Sequence, residues 1–460
     1  MKTSRRQFLA ASSVAGAGLS TGLTRLAPAL GAVATPTVLS AAAAAKPAIL
    51  GGTPVHTGGW QKWPIWQPEW EADMLKVCRS AKWYRPSGPY VTNFENAYAN
   101  LLGAKAALAT ASGTTALIVS LHVLGVDAGD EVIVSPFTFV ASYNAILAHK
   151  ALPVFADTDP ATLTIDPKSI ASRITDRTTA IMPVHIYGLP CDMDAINAIV
   201  RPKGLKVVED ACQAWLAEYQ GRKCGTLGDL GCFSFQESKH IPSGEGGAIT
   251  SDSQDLIDRC NSFHNCGRSV GNFKGNGTFT RGANYRMTQF QGALLGQQID
   301  KLVRETAHRR ANAEFLNAEL AKIPGITPAR LPANSRGVYH LYPFVYDASR
   351  FSGLPKDVFL KALAAEGVAA HGVYKEQYLE GIMDETIASR GYRRLFSAQR
   401  LKAYRDSFRE LKGNRATCAN TVGMSQTVLL ADRAGVGHIV EAIARIQAHS
   451  AAIAAAKIRA

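Results

Sequence analysis

Short, wholly apolar runs separated by amphipathic stretches set the pattern of the middle of the chain. Val132-Ile133-Val134, Leu152-Pro153-Val154-Phe155, Ala180-Ile181-Met182-Pro183-Val184 and Lys206-Val207-Val208 start 20 to 28 residues apart. Runs this short and apolar read as strands buried on both faces, and the interval is that of repeated βα units. The pattern predicts an α/β fold with a largely parallel sheet, whose ligands bind beyond the carboxyl ends of its strands. A further run, Cys232-Phe233-Ser234-Phe235, extends the series.

Helical spacing frames these strands. Phe94, Tyr98, Leu101 and Leu102 share one face of a helix between Gly88 and Gly103. Leu294, Leu295, Ile299, Leu302 and Val303, continued by Phe315, Leu316 and Leu320, predict one long helix that Pro324-Gly325 stops. Such a helix would join a large domain, residues 46–310, to a smaller C-terminal α/β domain, residues 311–460. The smaller domain carries a strand at His340–Val345 and a last helix with Val436, Ile439, Val440, Ile443 and Ile446 on one face. Between Lys46 and Trp70 there is no periodicity. Trp60, Trp63, Trp66 and Trp70 lie there among prolines, and the expectation is a coil that packs its aromatics onto the body.

Composition narrows the choices. The net charge is +13, but residues 1–45 hold Lys2, Arg5, Arg6 and Arg25 and no acid; removing them leaves 46 basic against 37 acidic residues. The remaining excess is not gathered into a basic tract with interleaved aromatics, so no nucleic-acid partner is expected. Eight cysteines give no C-x-x-C pair, and Cys260, His264 and Cys266 lack a fourth ligand at zinc spacing. Free thiols and no metal are the expectation. Ser4-Arg5-Arg6-Gln7-Phe8-Leu9, followed by an Ala/Gly-rich run through Ala45, resembles a twin-arginine export signal. It implies a periplasmic or extracellular protein without stable membrane insertion once the signal is removed.

The chemistry concentrates in Val207–Ile249. One apolar run delivers Glu209-Asp210, a second delivers Ser234 and then Lys239, and the small-residue turn Ser243-Gly244-Glu245-Gly246-Gly247 follows. A carboxylate, an amine and a loop suited to phosphate are what pyridoxal 5′-phosphate (PLP) requires. Ala111-Ser112-Gly113-Thr114-Thr115-Ala116-Leu117 adds a small-residue helix start, where free backbone N–H groups suit a phosphate.

Two linked motifs, Glu209-Asp210-Ala211-Cys212-Gln213-Ala214 and Phe233-Ser234-Phe235-x-x-x-Lys239 running on to Gly244-Glu245-Gly246-Gly247, resemble those of the DegT/DnrJ/EryC1/StrS sugar aminotransferases. Ser112–Leu117, Val184-His185-Ile186-Tyr187-Gly188 and Gly282-Ala283-Asn284-Tyr285-Arg286-Met287 fit further motifs of the family. Similarity extends over roughly residues 47 to 450. Gly51-Gly52-Thr53-Pro54-Val55 is similar to the opening of relatives acting on cyclitols and on 3-amino-5-hydroxybenzoate precursors.

The resemblance implies the PLP-dependent transferase fold of type I, PLP as coenzyme and a homodimer. It implies transfer of an amino group from glutamate or glutamine to a keto-sugar or keto-cyclitol. By the same resemblance Lys239 binds the coenzyme and moves protons, Asp210 holds its ring nitrogen protonated, and Phe139 stacks on the ring. Gln213 sits near the ring hydroxyl, while Gly113, Thr114, Ser234 and the Asn284 of a neighbouring subunit hold the phosphate. His185 is expected to be buried and structural. Relatives with His in place of the lysine dehydrate deoxysugars, which Lys239 argues against. An exported binding or regulatory module without turnover is the alternative of a different class. The chain departs from the family between Tyr374 and Val428, where a charged, helix-prone insert runs through Lys412.

Overall fold

The computed structural model describes residues 44–275 and 279–456. The expected export signal, all but its last two residues, lies outside them. Among the described residues the strands of the first sheet are β1 (Ala106–Thr110), β2 (Glu131–Val134), β3 (Leu152–Phe155), β4 (Thr178–Met182), β5 (Lys206–Asp210), β6 (Leu230–Ser234) and β7 (Gly247–Ser251). They stand side by side in the order β1-β7-β6-β5-β4-β2-β3. β7 is antiparallel to both neighbours and every other pairing is parallel. Every residue of β2, β3 and β6 is buried, which explains their lack of polar alternation.

The second sheet is antiparallel throughout, with β8 (Ile326–Pro328), β9 (Leu341–Tyr346), β10 (Ala370–Gly372) and β11 (Thr421–Ser425) in the order β8-β9-β11-β10. The helix Arg433–Ala448 buries Val436, Ile439, Val440, Ile443 and Ile446, as its spacing predicts. Two expectations need correction. The helix predicted from Leu294 to Leu320 is two helices, Gln289–Gly296 and Ile299–Leu320. Gln298 sits at the break and donates its side-chain amide to Pro242 O at 2.8 Å and Leu294 O at 3.0 Å. β4 ends at Met182, before Pro183, whose imide nitrogen cannot join a ladder. The chain stays alongside β5 beyond that point, because Asp210 N donates to Pro183 O and His185 N to Asp210 O.

The insert forms the helices Ile382–Ala388, Arg390–Leu395 and Ala398–Ser407. It lies on the first sheet rather than the second. Tyr392 Oη donates to Ala151 O at 2.7 Å and Tyr404 Oη to Pro153 O at 2.9 Å. Arg400 pairs with the fully buried Glu131 at 2.6 Å. β3 is an edge strand, where a proline such as Pro153 is readily tolerated. The insert thus covers the edge and satisfies its outward carbonyls. Tyr404→Phe leaves the buried Pro153 carbonyl without that donor and is expected to cost about 1–3 kcal/mol. The midpoint of urea unfolding measures it; an unchanged midpoint would mean the insert is not fastened here.

Candidate active site

Strand ends on one side of the first sheet converge on a cavity of about 560 Å³. Its lining includes Gly113, Thr114, Phe139, Asp210, Gln213, Ser234 and Lys239, seven of the eight residues marked in the sequence. Asn284 does not line it. That residue is exposed and bridges to Asn265, while Tyr285 O, next in the chain, accepts from Ala111 N beside the end of β1.

Asp210 closes β5. Strand alternation turns its carboxylate into the cavity and sends Glu209 to the other side. Ser142 Oγ donates to Asp210 Oδ2 at 2.7 Å and Cys212 N donates to Oδ1 at 3.2 Å. Thr138 Oγ1 lies 2.8 Å from Ser142 Oγ, so the hydroxyls form a chain behind the carboxylate. Glu209 is fully buried and accepts from Gly225 N at 2.7 Å, Leu227 N at 2.5 Å and Gly228 N at 2.6 Å. His185 Nε2 lies 2.9 Å from Glu209 Oε2, and His185 Nδ1 accepts from Cys191 N at 3.0 Å. A backbone N–H at Nδ1 requires a lone pair there, so Nε2 carries the hydrogen and donates to the carboxylate. His185 is therefore structural, as its sequence context led us to expect.

The helix Gly113–Val123 begins at the cavity. Ser112 Oγ accepts from Thr115 N, and Thr115 Oγ1 accepts from Ser112 N at 2.9 Å, a reciprocal cap. The cap engages Ser112 and Thr115 and leaves the N–H groups of Gly113 and Thr114 for a ligand. Gly113 is dictated by space: a Cβ there would stand 2.7 Å from Ser234 Cβ and 2.9 Å from Cys212 Sγ. A Cβ on Gly247, the first residue of β7, would likewise meet Ser112 O at 2.3 Å. The glycines draw the helix start, Ser234 and the Gly-rich turn into one cradle.

Lys239 follows β6, its Nζ 3.5 Å from His340 Nε2. Burial pushes the amine's pKa below its ordinary 10.5, against the opposing pull of Cys212, Asp210 and Glu245. Burial, reinforced by the Lys239 cation, holds the His340 imidazole well below its usual range. Gln213 Oε1 accepts from Tyr187 N at 2.8 Å, and its Nε2 donates to Tyr374 Oη at 3.1 Å. Tyr374 stacks on Tyr187, and burial raises its phenol to about 12. Phe139 leaves its ring more than half exposed on the cavity wall.

Sequence reasoning missed Ser142, Glu245, His340 and Tyr374 as lining residues. Glu245 sits inside the Gly-rich motif and was within reach of a sequence argument. Ser142 meets Asp210 from 68 positions away and Tyr374 meets Gln213 from 161, contacts without a local signal.

The donor set fits a phosphorylated pyridine aldehyde on three separate counts. A carboxylate is available for a protonated ring nitrogen, a buried amine for the aldehyde, and a capped helix start with a serine for the phosphate. The model of the DegT/DnrJ/EryC1/StrS aminotransferase family matches residues 67–403.

The chain belongs to that family.

Among its relatives is a putative L-glutamine:3-amino-2,3-dideoxy-scyllo-inosose aminotransferase of Streptomyces kanamyceticus, 34% identical over 415 residues, 87% of this chain and 97% of the relative. The structure is also similar to that of 3-amino-5-hydroxybenzoic acid synthase, with TM-score 0.73, 28% identity and coverage of 86% and 99%. A third likeness is NtdA of Bacillus subtilis with bound cofactor PMP, with TM-score 0.67, 26% identity and coverage of 83% and 82%. The aminotransferase therefore has the PLP-dependent fold of type I, and its coenzyme is PLP.

Capture of the coenzyme's aldehyde requires the free amine. A lowered pKa places the midpoint of that reaction below pH 10.5, with capture speeding up as pH rises to it and levelling off beyond. Stopped-flow absorbance of the stripped protein with added PLP gives the profile. A midpoint at or above the ordinary 10.5 would contradict the buried setting of Lys239.

Proposed function

We propose that this aminotransferase moves the amino group of L-glutamine, or of glutamate, to the keto carbon of an uncharged polyhydroxylated ring, a cyclitol or free sugar. PLP, when bound, serves as the electron sink that makes the donor's α-proton removable and stores the amino group between half-reactions. The chain's own residues do the rest. With the coenzyme bound, Lys239 would hold its aldehyde carbon, and the freed amine would serve as general base and then general acid for the proton leaving the donor's α-carbon. Burial favours its free amine, the form that attacks the aldehyde and takes up the proton. Asp210, oriented by Ser142, stabilises the positive ring nitrogen. Gly113, Thr114 and Ser234 would hold the phosphate and Phe139 would cover the ring, while Gln213, held by Tyr187 and Tyr374, would meet the ring hydroxyl.

The observation that carries the substrate class is the chemistry of the wall. Beyond the groups assigned to the coenzyme, the lining around Lys239 offers hydroxyls from Ser238 and Tyr374, the amide of Gln236 and the carboxylate of Glu245. Such groups match ring hydroxyls, whereas a nucleotide diphosphate calls for clustered Arg and Lys. The relative of Streptomyces kanamyceticus, whose name specifies glutamine and a scyllo-inosose, supports the same reading. We further propose an exported homodimer, the Asn284 of each subunit reaching the other's phosphate. Ser4–Leu9 and the exposed position of Asn284 outside its own cavity support this reading. Light scattering on protein from the periplasmic fraction tests both points; a cytoplasmic monomer would refute them.

The activity test is optical. The yellow protein should bleach with L-glutamine, and its colour should return with 2-deoxy-scyllo-inosose or another keto-cyclitol. Return of colour only with a nucleotide-linked keto-sugar would overturn the acceptor class. Colour that no amino donor bleaches would mean binding without turnover.

A further inference from the structure

The Trp-rich segment that reads in sequence as a packing coil makes its contacts at two distant places. At one end, Glu366 gathers it in. Ala48 N and Val55 N donate to the Glu366 carboxylate at 2.8 and 3.0 Å, and His56 N donates to Glu366 O at 3.0 Å. Arg445, from the last long helix, pairs with the same carboxylate at 3.2 Å and donates to Thr53 O at 2.9 Å. Trp60 Nε1 donates to Gly367 O at 2.9 Å, and its indole stacks on His56 with centroids 4.2 Å apart. This anchor lies just before β10 of the second sheet.

The other end reaches the active-site lysine's own backbone. Trp63 Nε1 stands 3.1 Å from Glu237 O and 3.1 Å from Lys239 O, one N–H shared between two carbonyls of the Lys239 loop. The indole is itself held. Lys301 Nζ lies 4.6 Å and Arg309 Cζ 5.3 Å from its centroid. Both cations pair with Glu305, at 3.0 and 3.1 Å, and Arg309 Nε donates to Gln426 Oε1 at 2.8 Å, just past β11. The loop adds its own turns, with Lys239 N donating to Gln236 O and Glu237 N to Gly244 O. Those bonds fix the loop within itself, and Gln298 holds Pro242 O from the helix side; Trp63 holds the backbone of the loop toward the second sheet, where His340 meets the lysine's amine.

We propose that Trp63 is a positioning residue for Lys239, and that residues 47–63 form a strap by which the second sheet sets the direction of the lysine side chain. The role of Lys239 is that of the proposed function, but the strap is a separate physical claim. It gives the Trp-rich segment a task in the reaction: loosening the strap should let the loop carbonyls turn toward water and leave the amine aimed over a wider cone.

Trp63→Phe in the full chain keeps a ring over Lys301 and Arg309 and removes the N–H. Hydrogen exchange of a peptide spanning residues 236–244 should quicken by about tenfold, the effect of one lost hydrogen-bond donor to two carbonyls. Capture of PLP by the stripped protein should slow by a similar factor, while the pH midpoint of capture stays put. Trp83→Phe, on an exposed indole that donates to Val77 O and Cys78 O instead, should change neither rate. Exchange in Trp63→Phe equal to wild type would overturn the strap, whatever the chemistry of Lys239, so the two claims fail by different signs. If Trp63→Phe melts far below wild type, Trp60→Phe carries the test. The strap predicts faster exchange at 236–244 there as well, and no change would refute it.

Discussion

The register of β5 against β6 is the constraint from which the site follows. Asp210 stands opposite Cys232, so the carboxylate that ends one strand and the Ser234 that ends the next open onto the same side of the sheet. Lys239 is then five residues along, on a loop that the Gly-rich turn folds back toward the helix start at Gly113. Slip the pair by one residue and Glu209 would face the cavity while Asp210 faced the turn. Several contacts guard against this. Glu209 accepts three backbone N–H groups from the 225–228 turn and the imidazole Nε2–H of His185, an arrangement that a buried carboxylate at that position satisfies. Asp210 N and O are both engaged by the chain beyond β4. The acidic pair thus divides its labour, one carboxylate fastening the strand so that the other can work.

Electrostatics then act within a scaffold already fixed. Burial lowers the amine of Lys239, although Asp210 and Glu245 pull the other way. The free amine is the form that bond formation to an aldehyde and proton uptake demand, and burial favours it. On the ring-nitrogen side, Ser142 donates to Asp210 with Thr138 behind it, so hydroxyls fix the direction of the carboxylate. The lowered amine and the oriented carboxylate arise from different causes, which lets them coexist in one cavity.

How much of this was legible in the sequence depended on how local the cause was. β2, β3 and β5 announce themselves because strands buried on both faces need unbroken apolar runs. β1 did not: Ala106-Ala107-Leu108-Ala109-Thr110 is rich in the best helix former, and only its pairing with β7 makes it a strand. The cofactor motifs were readable because a lysine at fixed spacing from a carboxylate and a run of glycines suits few chemistries besides a phosphorylated aldehyde. Ser142 and Tyr374 were not, since each acquires its meaning from a partner far along the chain. The insert was recognised as helical but not as the cover of the β3 edge. That requires knowing which strand is outermost, and strand order is not written in any one segment.

The chemistry turns on one covalent attachment, between Lys239 and the coenzyme's aldehyde carbon. Borohydride reduction of the yellow protein, followed by digestion and mass mapping, reads it directly. A single phosphopyridoxyl adduct, on Lys239, is the expected result. An adduct on another lysine, or none on protein that has bound the coenzyme, would contradict the assignment.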